Sequence, residues 1–151
     1  MKICLIASSG GHLEQILMLA PLIEKYSGFI VTEKTNYNPG IKCMTTYYLK
    51  QVNRSKWDTL FLMLINSVIS IKILVTEKPD LIITTGALSV IPLCMLAKLF
   101  RKKLIFIESY AKISSPTLTG KLLYHFSDEF YVQWKEMLKH YPNAIYKGGI
   151  Y

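Results

Sequence analysis

The chain lacks the glycine patterns that most often mark a nucleotide site. After Gly10-Gly11 come His12, Leu13 and Glu14, so the third glycine of a dinucleotide loop is missing. That argues against a dinucleotide, although Glu33 lies roughly 20 residues past the glycines, where a ribose-binding acid would sit. No Lys-Ser or Lys-Thr pair follows the glycines, which excludes a P-loop. Cysteine is scarce. Cys4, Cys43 and Cys94 are far apart, and Cys4 and Cys94 lie in apolar segments, a pattern of reduced cytosolic thiols that excludes a disulfide or zinc framework. Internal repeats and low-complexity segments are absent. The opening apolar run is too short for an export signal and reads as a first strand.

Acidic residues are also few. Ten Asp and Glu face 18 Lys and Arg, a net charge of +8. The cations gather over 50–56 and 98–103. Such runs suit a solvated face, an anionic membrane surface, a phosphorylated substrate or nucleic acid, although no RNA- or DNA-binding motif accompanies them. With 51% hydrophobic residues, the 151-residue chain is no disordered segment and is long enough to bury a core.

Strand-like runs over 2–7, 29–33, 45–49, 81–85, 103–108, 129–132 and 144–146 alternate with helix-like runs over 13–26, 56–76, 88–100, 117–125 and 133–140. This alternation predicts one α/β domain spanning 1–151, with a mainly parallel sheet and helices on both faces. Pro79-Asp80 and Pro142-Asn143 end helices, and 36–40 reads as an exposed turn. Ligands in such sheets bind beyond the carboxyl ends of the strands. Three of those ends carry unusual residues: Ser8-Ser9-Gly10-Gly11-His12, Thr84-Thr85-Gly86-Ala87 with Ser89 behind it, and Glu108-Ser109-Tyr110-Ala111. The first is a strand breaking on small residues into a helix N-terminus, which suits an anion.

Residues 57–75 are the most apolar stretch, close to the roughly 20 residues that span a bilayer. Asn66, Ser67, Ser70 and Lys72 interrupt it, and a spanning segment there would split the sheet. It reads either as a buried crossover helix, as an interfacial helix with Lys50, Arg54 and Lys56 near anionic headgroups, or as a docking face for a partner.

Four motifs in order carry a resemblance: Ser8 to Glu14, Thr84-Thr85-Gly86-Ala87 after Pro79-Asp80-Leu81-Ile82-Ile83, Ile107-Glu108-Ser109-Tyr110-Ala111, and Ser115-Pro116-Thr117-Leu118-Thr119-Gly120-Lys121-Leu122-Leu123-Tyr124. Across essentially its whole length the chain resembles the acceptor-side subunit of split GT-B glycosyltransferases. These are the Alg subunit-fourteen type proteins of lipid-linked oligosaccharide assembly and their bacterial capsule and exopolysaccharide counterparts. More distantly it resembles the N-terminal half of MurG, whose glycine-rich loop also ends in Gly-Gly-His.

The resemblance implies a Rossmann-like half of a GT-B fold and a partner subunit carrying the UDP-sugar site. It implies transfer of a hexose to a polyprenyl-diphosphate-linked saccharide, on the inner face of the plasma membrane, for capsular or exopolysaccharide synthesis. On this reading Ser9, Gly10, Gly11, Thr85 and Gly86 bind the acceptor and its diphosphate, and no cofactor, metal or nucleic acid is required. His12 and Glu108 are the candidate catalytic residues, each as base or substrate contact. His12 is otherwise a capping or core histidine, and Glu108 a helix cap or ion-pair partner. Thr85-Gly86 equally suits a tight strand-to-helix turn, Glu14 and Gln15 the positive end of a helix, and Tyr131 and Trp134 core or partner-facing aromatics. A different class of function also fits: a non-catalytic membrane anchor that recruits and activates the catalytic subunit.

Overall fold

The computed structural model describes residues 1–35, 44–53 and 57–151. The expected turn over 36–40, Cys43, and the cations Arg54 and Lys56 lie outside them. Seven strands form one sheet, all neighbours parallel. They are β1 (Ile3–Ala7), β2 (Gly28–Glu33), β3 (Thr46–Leu49), β4 (Leu81–Gly86), β5 (Lys103–Ile107), β6 (Glu129–Val132) and β7 (Ile145–Tyr146). Their order is β3-β2-β1-β4-β5-β6-β7, so the chain reverses direction across the sheet between β1 and β4. This is the Rossmann-like arrangement, with its topological switch point beside the β1 end. β1 is buried along its whole length, which is why it reads as an unbroken apolar run and not as an alternation.

Helices α1 (Gly11–Leu17) and α2 (Ala20–Tyr26) cover one face; α3 (Thr59–Glu77), α4 (Ile91–Leu99) and α5 (Leu118–Leu123) cover the other. Two expected helices differ from their patterns. The run over 13–26 breaks in two because Pro21, which cannot donate to the preceding turn, starts a new helix at its N-terminus. The run over 133–140 forms only a 3-10 turn, Lys135–Lys139. Trp134 there is extended, and its indole N–H donates to the Tyr110 carbonyl at 2.6 Å.

α3 is the crossover from β3 to β4. Asn66, Ser70, Ile73 and Leu74 face inward, whereas Leu60, Phe61, Leu64, Val68, Ile71 and Val75 are exposed. The helix is long and apolar enough to cross a membrane by length and composition, but one side is packed on α4 and β3. It ends where Lys78 turns left-handed (φ 47°) before Pro79. On the opposite face, Ile105, Ile107 and Tyr131 border a groove of about 320 Å³ between α2 and residues 147–150.

Candidate functional site

The turn from β1 into α1 is built on Gly10, whose φ of +78° is a left-handed conformation that side chains resist. Its carbonyl accepts from Leu13 N–H at 2.9 Å and Glu14 N–H at 3.1 Å, which starts the helix. The space where side chains at Gly10 and Gly11 would project is open, with no atom within 4 Å. The first amides of a helix have no partner in its own ladder, so this opening presents N–H groups to a ligand. Two neighbouring strands brace the turn. Ser9 donates to Glu33 at the end of β2, from its amide at 3.4 Å and its hydroxyl at 3.1 Å. Thr85 on β4 donates its hydroxyl to the His12 carbonyl at 3.0 Å.

Above the β1–β4 junction lies a cleft of about 590 Å³, lined by Ser8, His12, Glu33, Gln51, Val52, Asn53, Asp58, Leu62, Ala87 and Leu88. His12 also borders a smaller cavity of about 270 Å³ with Gly11, Gln15, Ser109, Tyr110, Ala111 and Tyr151. It stands between the two. Its Nδ1 is buried with no hydrogen-bond partner, as is the amide nitrogen of Gln15. Burial pushes the His12 imidazole below its ordinary range, against the opposing pull of the Thr85 backbone and of the Glu108 and Glu33 charges. His12 is therefore neutral near pH 7, the form that accepts a proton.

Glu108 sits elsewhere. It is 1% exposed, and its carboxylate is enclosed by donors: the Ser109 amide at 2.9 Å, the Thr117 amide at 3.2 Å, the Thr117 hydroxyl at 2.9 Å and the Tyr141 phenol at 2.9 Å. Burial, together with this carboxylate, raises the Tyr141 phenol far above its usual range, so Tyr141 remains a donor. Gly120 completes the enclosure, since a side-chain carbon there would fall against Glu108 Oε2 and the Tyr141 hydroxyl. Glu108 thus ties β5 to the start of α5, where Thr117 is the N-cap and accepts from Gly120 N–H at 2.8 Å.

Thr85 and Gly86 are likewise buried, and neither lines a described cavity; Ala87 and Leu88, one step further along, do. Ala87 has φ 117° and ψ 164°, a region nearly reserved for glycine, and such strain concentrates at functional sites. Tyr131 borders the 320 Å³ groove, and the Trp134 ring packs on Tyr110 at 4.9 Å. The sequence reasoning missed Asp58 and the pairing of Ser9 with Glu33. Only the pair had a signal, an acid at the end of the second strand. Cys4 and Cys94 are buried free thiols; burial pushes Cys94 up to about 12 and Cys4 well above its ordinary value, so neither is a nucleophile.

Comparison with known proteins bears on the family and the fold. A family model described as "Oligosaccharide biosynthesis protein Alg14 like" matches residues 23–150. A human protein named UDP-N-acetylglucosamine transferase subunit ALG14 is 29% identical over 180 residues, covering 99% of this chain and 83% of that one. The rat protein of the same name is 30% identical, covering 97% and 81%. Among solved structures, Acinetobacter baumannii MurG superposes with a TM-score of 0.70 at 15% identity, over 87% of this chain and 40% of MurG. A UDP-N-acetylglucosamine 2-epimerase from Rickettsia bellii gives 0.72 at 13% identity, over 99% of this chain and 45% of the epimerase. At these identities the superpositions establish the fold, one Rossmann-like half of a GT-B architecture, and the chain spans less than half the length of either structure.

Proposed function

The chain belongs to the Alg14-like family of oligosaccharide biosynthesis proteins, and from that membership we propose that it is the acceptor-binding subunit of a two-component glycosyltransferase. The donor UDP-sugar is held by a partner subunit, and the acceptor is a polyprenyl-diphosphate-linked saccharide. The observation that carries the reading is the placement of His12. It is half-buried and neutral, with a buried and unpartnered ring nitrogen, between an open glycine turn and the cleft over the switch point.

In this reading the amides at Gly10 and Gly11 bind the acceptor diphosphate, and His12 takes the proton of the attacking hydroxyl. The hydroxyl oxygen bonds to the donor's anomeric carbon, and UDP leaves with the electron pair of the broken C–O bond. Ser9, Thr85 and Gly86 act by holding the turn in place. Glu108 acts as a positioning residue, because its oxygens are occupied by protein donors.

The exposed apolar face of α3 supports attachment to a membrane surface, with its inner face packed on the sheet. The finer assignments are a site on the inner face of the plasma membrane and a product destined for capsular or exopolysaccharide.

The test is replacement of His12 by Ala in the complex assembled with the donor-binding partner. Loss of turnover by about a hundredfold or more is expected for a proton acceptor. Full turnover with an unchanged KM would remove this chain from the active site and leave it an anchor for a catalytic partner.

A further inference from the structure

Glu33 closes β2 beside the glycine turn and is 5% exposed. Both Ser9 contacts fall on its Oε2; among the described residues no donor meets Oε1 and no Lys or Arg pairs with the carboxylate. A glutamine would keep the Ser9 contacts, so those contacts do not require a carboxylate; its second oxygen is open toward the cleft and free to accept from a ligand there.

Glu33 lines the 590 Å³ cleft together with Asp58, Asn53 and His12. Two carboxylates on one cleft repel a diphosphate and attract hydroxyl donors. Gly10 and Gly11 do not line this cleft; Gly11 borders the smaller cavity on the other side of His12. An acid at the end of the second strand, next to the first βα turn, is also where related sheets hold a sugar hydroxyl.

We propose that the 590 Å³ cleft takes the saccharide of the lipid-linked acceptor, with Glu33 Oε1 accepting from a ring hydroxyl, and that the diphosphate lies outside it at the glycine turn. The inference rests on the acceptor-binding function proposed above. Ser9 fixes the carboxylate by holding its other oxygen.

Two probes separate the parts of the ligand: farnesyl diphosphate, and farnesyl-diphosphate-linked glucose, galactose or N-acetylglucosamine. Their binding to the assembled complex is measured by calorimetry without donor. Glu33→Gln is expected to weaken the best-bound glycosylated probe tenfold or more. It is expected to leave farnesyl diphosphate within twofold, or bind it tighter as a negative charge is removed. Equal effects on both probes, no effect on either, or weakened binding of UDP instead would overturn the assignment. If the wild-type complex binds neither probe, the acceptor-binding function fails as well; if it binds both and transfers sugar normally with Glu33→Gln, the function stands and the Glu33 subsite alone falls.

Discussion

The side chain of Asn66, in the middle of α3, pairs with both backbone hydrogen-bonding groups of Lys50. Its Oδ1 accepts the Lys50 N–H at 2.8 Å, and its Nδ2 donates to the Lys50 carbonyl at 2.9 Å. β3 is an edge strand, so the chain leaving it has no strand neighbour on its outer side. Asn66 supplies that missing pairing. The three residues that follow, Gln51, Val52 and Asn53, form one wall of the 590 Å³ cleft. An asparagine that interrupts an apolar run in sequence is thus the anchor of that wall, and it commits the inner side of α3 to the sheet.

Asn66→Ala should accordingly destabilise the protein by about 3 kcal/mol, from unpaired polar groups left beside a cavity. Urea unfolding measures this. Native-state hydrogen exchange should show the Lys50 amide losing protection before the amides of β1 do.

Gly120→Ala tests the enclosure around Glu108. The added methyl overlaps Glu108 Oε2, the Tyr141 hydroxyl and the Thr117 hydroxyl, groups that hold one another in place. A loss of about 2–3 kcal/mol is expected, the cost of forcing volume into a packed site. Glu108→Gln should also destabilise, because its amide would turn N–H groups toward donors. Were Glu108 a catalytic base with no structural role, the glutamine variant would melt at the wild-type temperature.

The depressed His12 pKa makes a prediction about pH. The unfolded chain binds a proton near pH 6.5 that the folded chain resists, so stability increases with pH through the window below 6.5 and levels off above it. Thermal unfolding from pH 5 to 8 should show the wild type losing more stability on acidification than His12→Gln. Parallel curves for the two proteins would mean that the His12 ring is not desolvated by folding.

Leu64 and Val68 project from the exposed side of α3, at 59% and 68% exposure. Replacing both with Glu should leave the melting temperature within about 2 °C, since exposed substitutions contribute little to stability. Sedimentation with vesicles rich in anionic lipid should fall severalfold. Undiminished sedimentation would place the lipid contact elsewhere.

Much of the fold was legible because burial on both faces writes parallel strands as apolar runs, as in Ile3–Ala7 and the Leu81–Gly86 strand with its terminal glycine. Pro21 was legible as a residue but not as a break, since the apolar spacing continues through it. The 133–140 run failed for a different reason. Gln133 donates to the Glu108 carbonyl at 2.8 Å and accepts from Ile150 N–H at 3.0 Å, while Trp134 reaches Tyr110. Those bonds come from segments 17–25 residues away, and helical periodicity carries no trace of them.

What the sequence determined by itself was the alternation of elements, the glycine turn at Gly10-Gly11-His12, and family membership through motifs placed at strand ends. These depend on local backbone requirements and on which faces must be apolar. Only the tertiary structure decided between carboxylates of the same type. Glu108 and Glu33 both follow apolar strands, yet one is enclosed by Thr117, Tyr141 and Ser109, and the other lines the cleft with one oxygen held by Ser9. The difference arises because a carboxylate's role depends on which donors reach it, and those donors come from strands and helices distant along the chain.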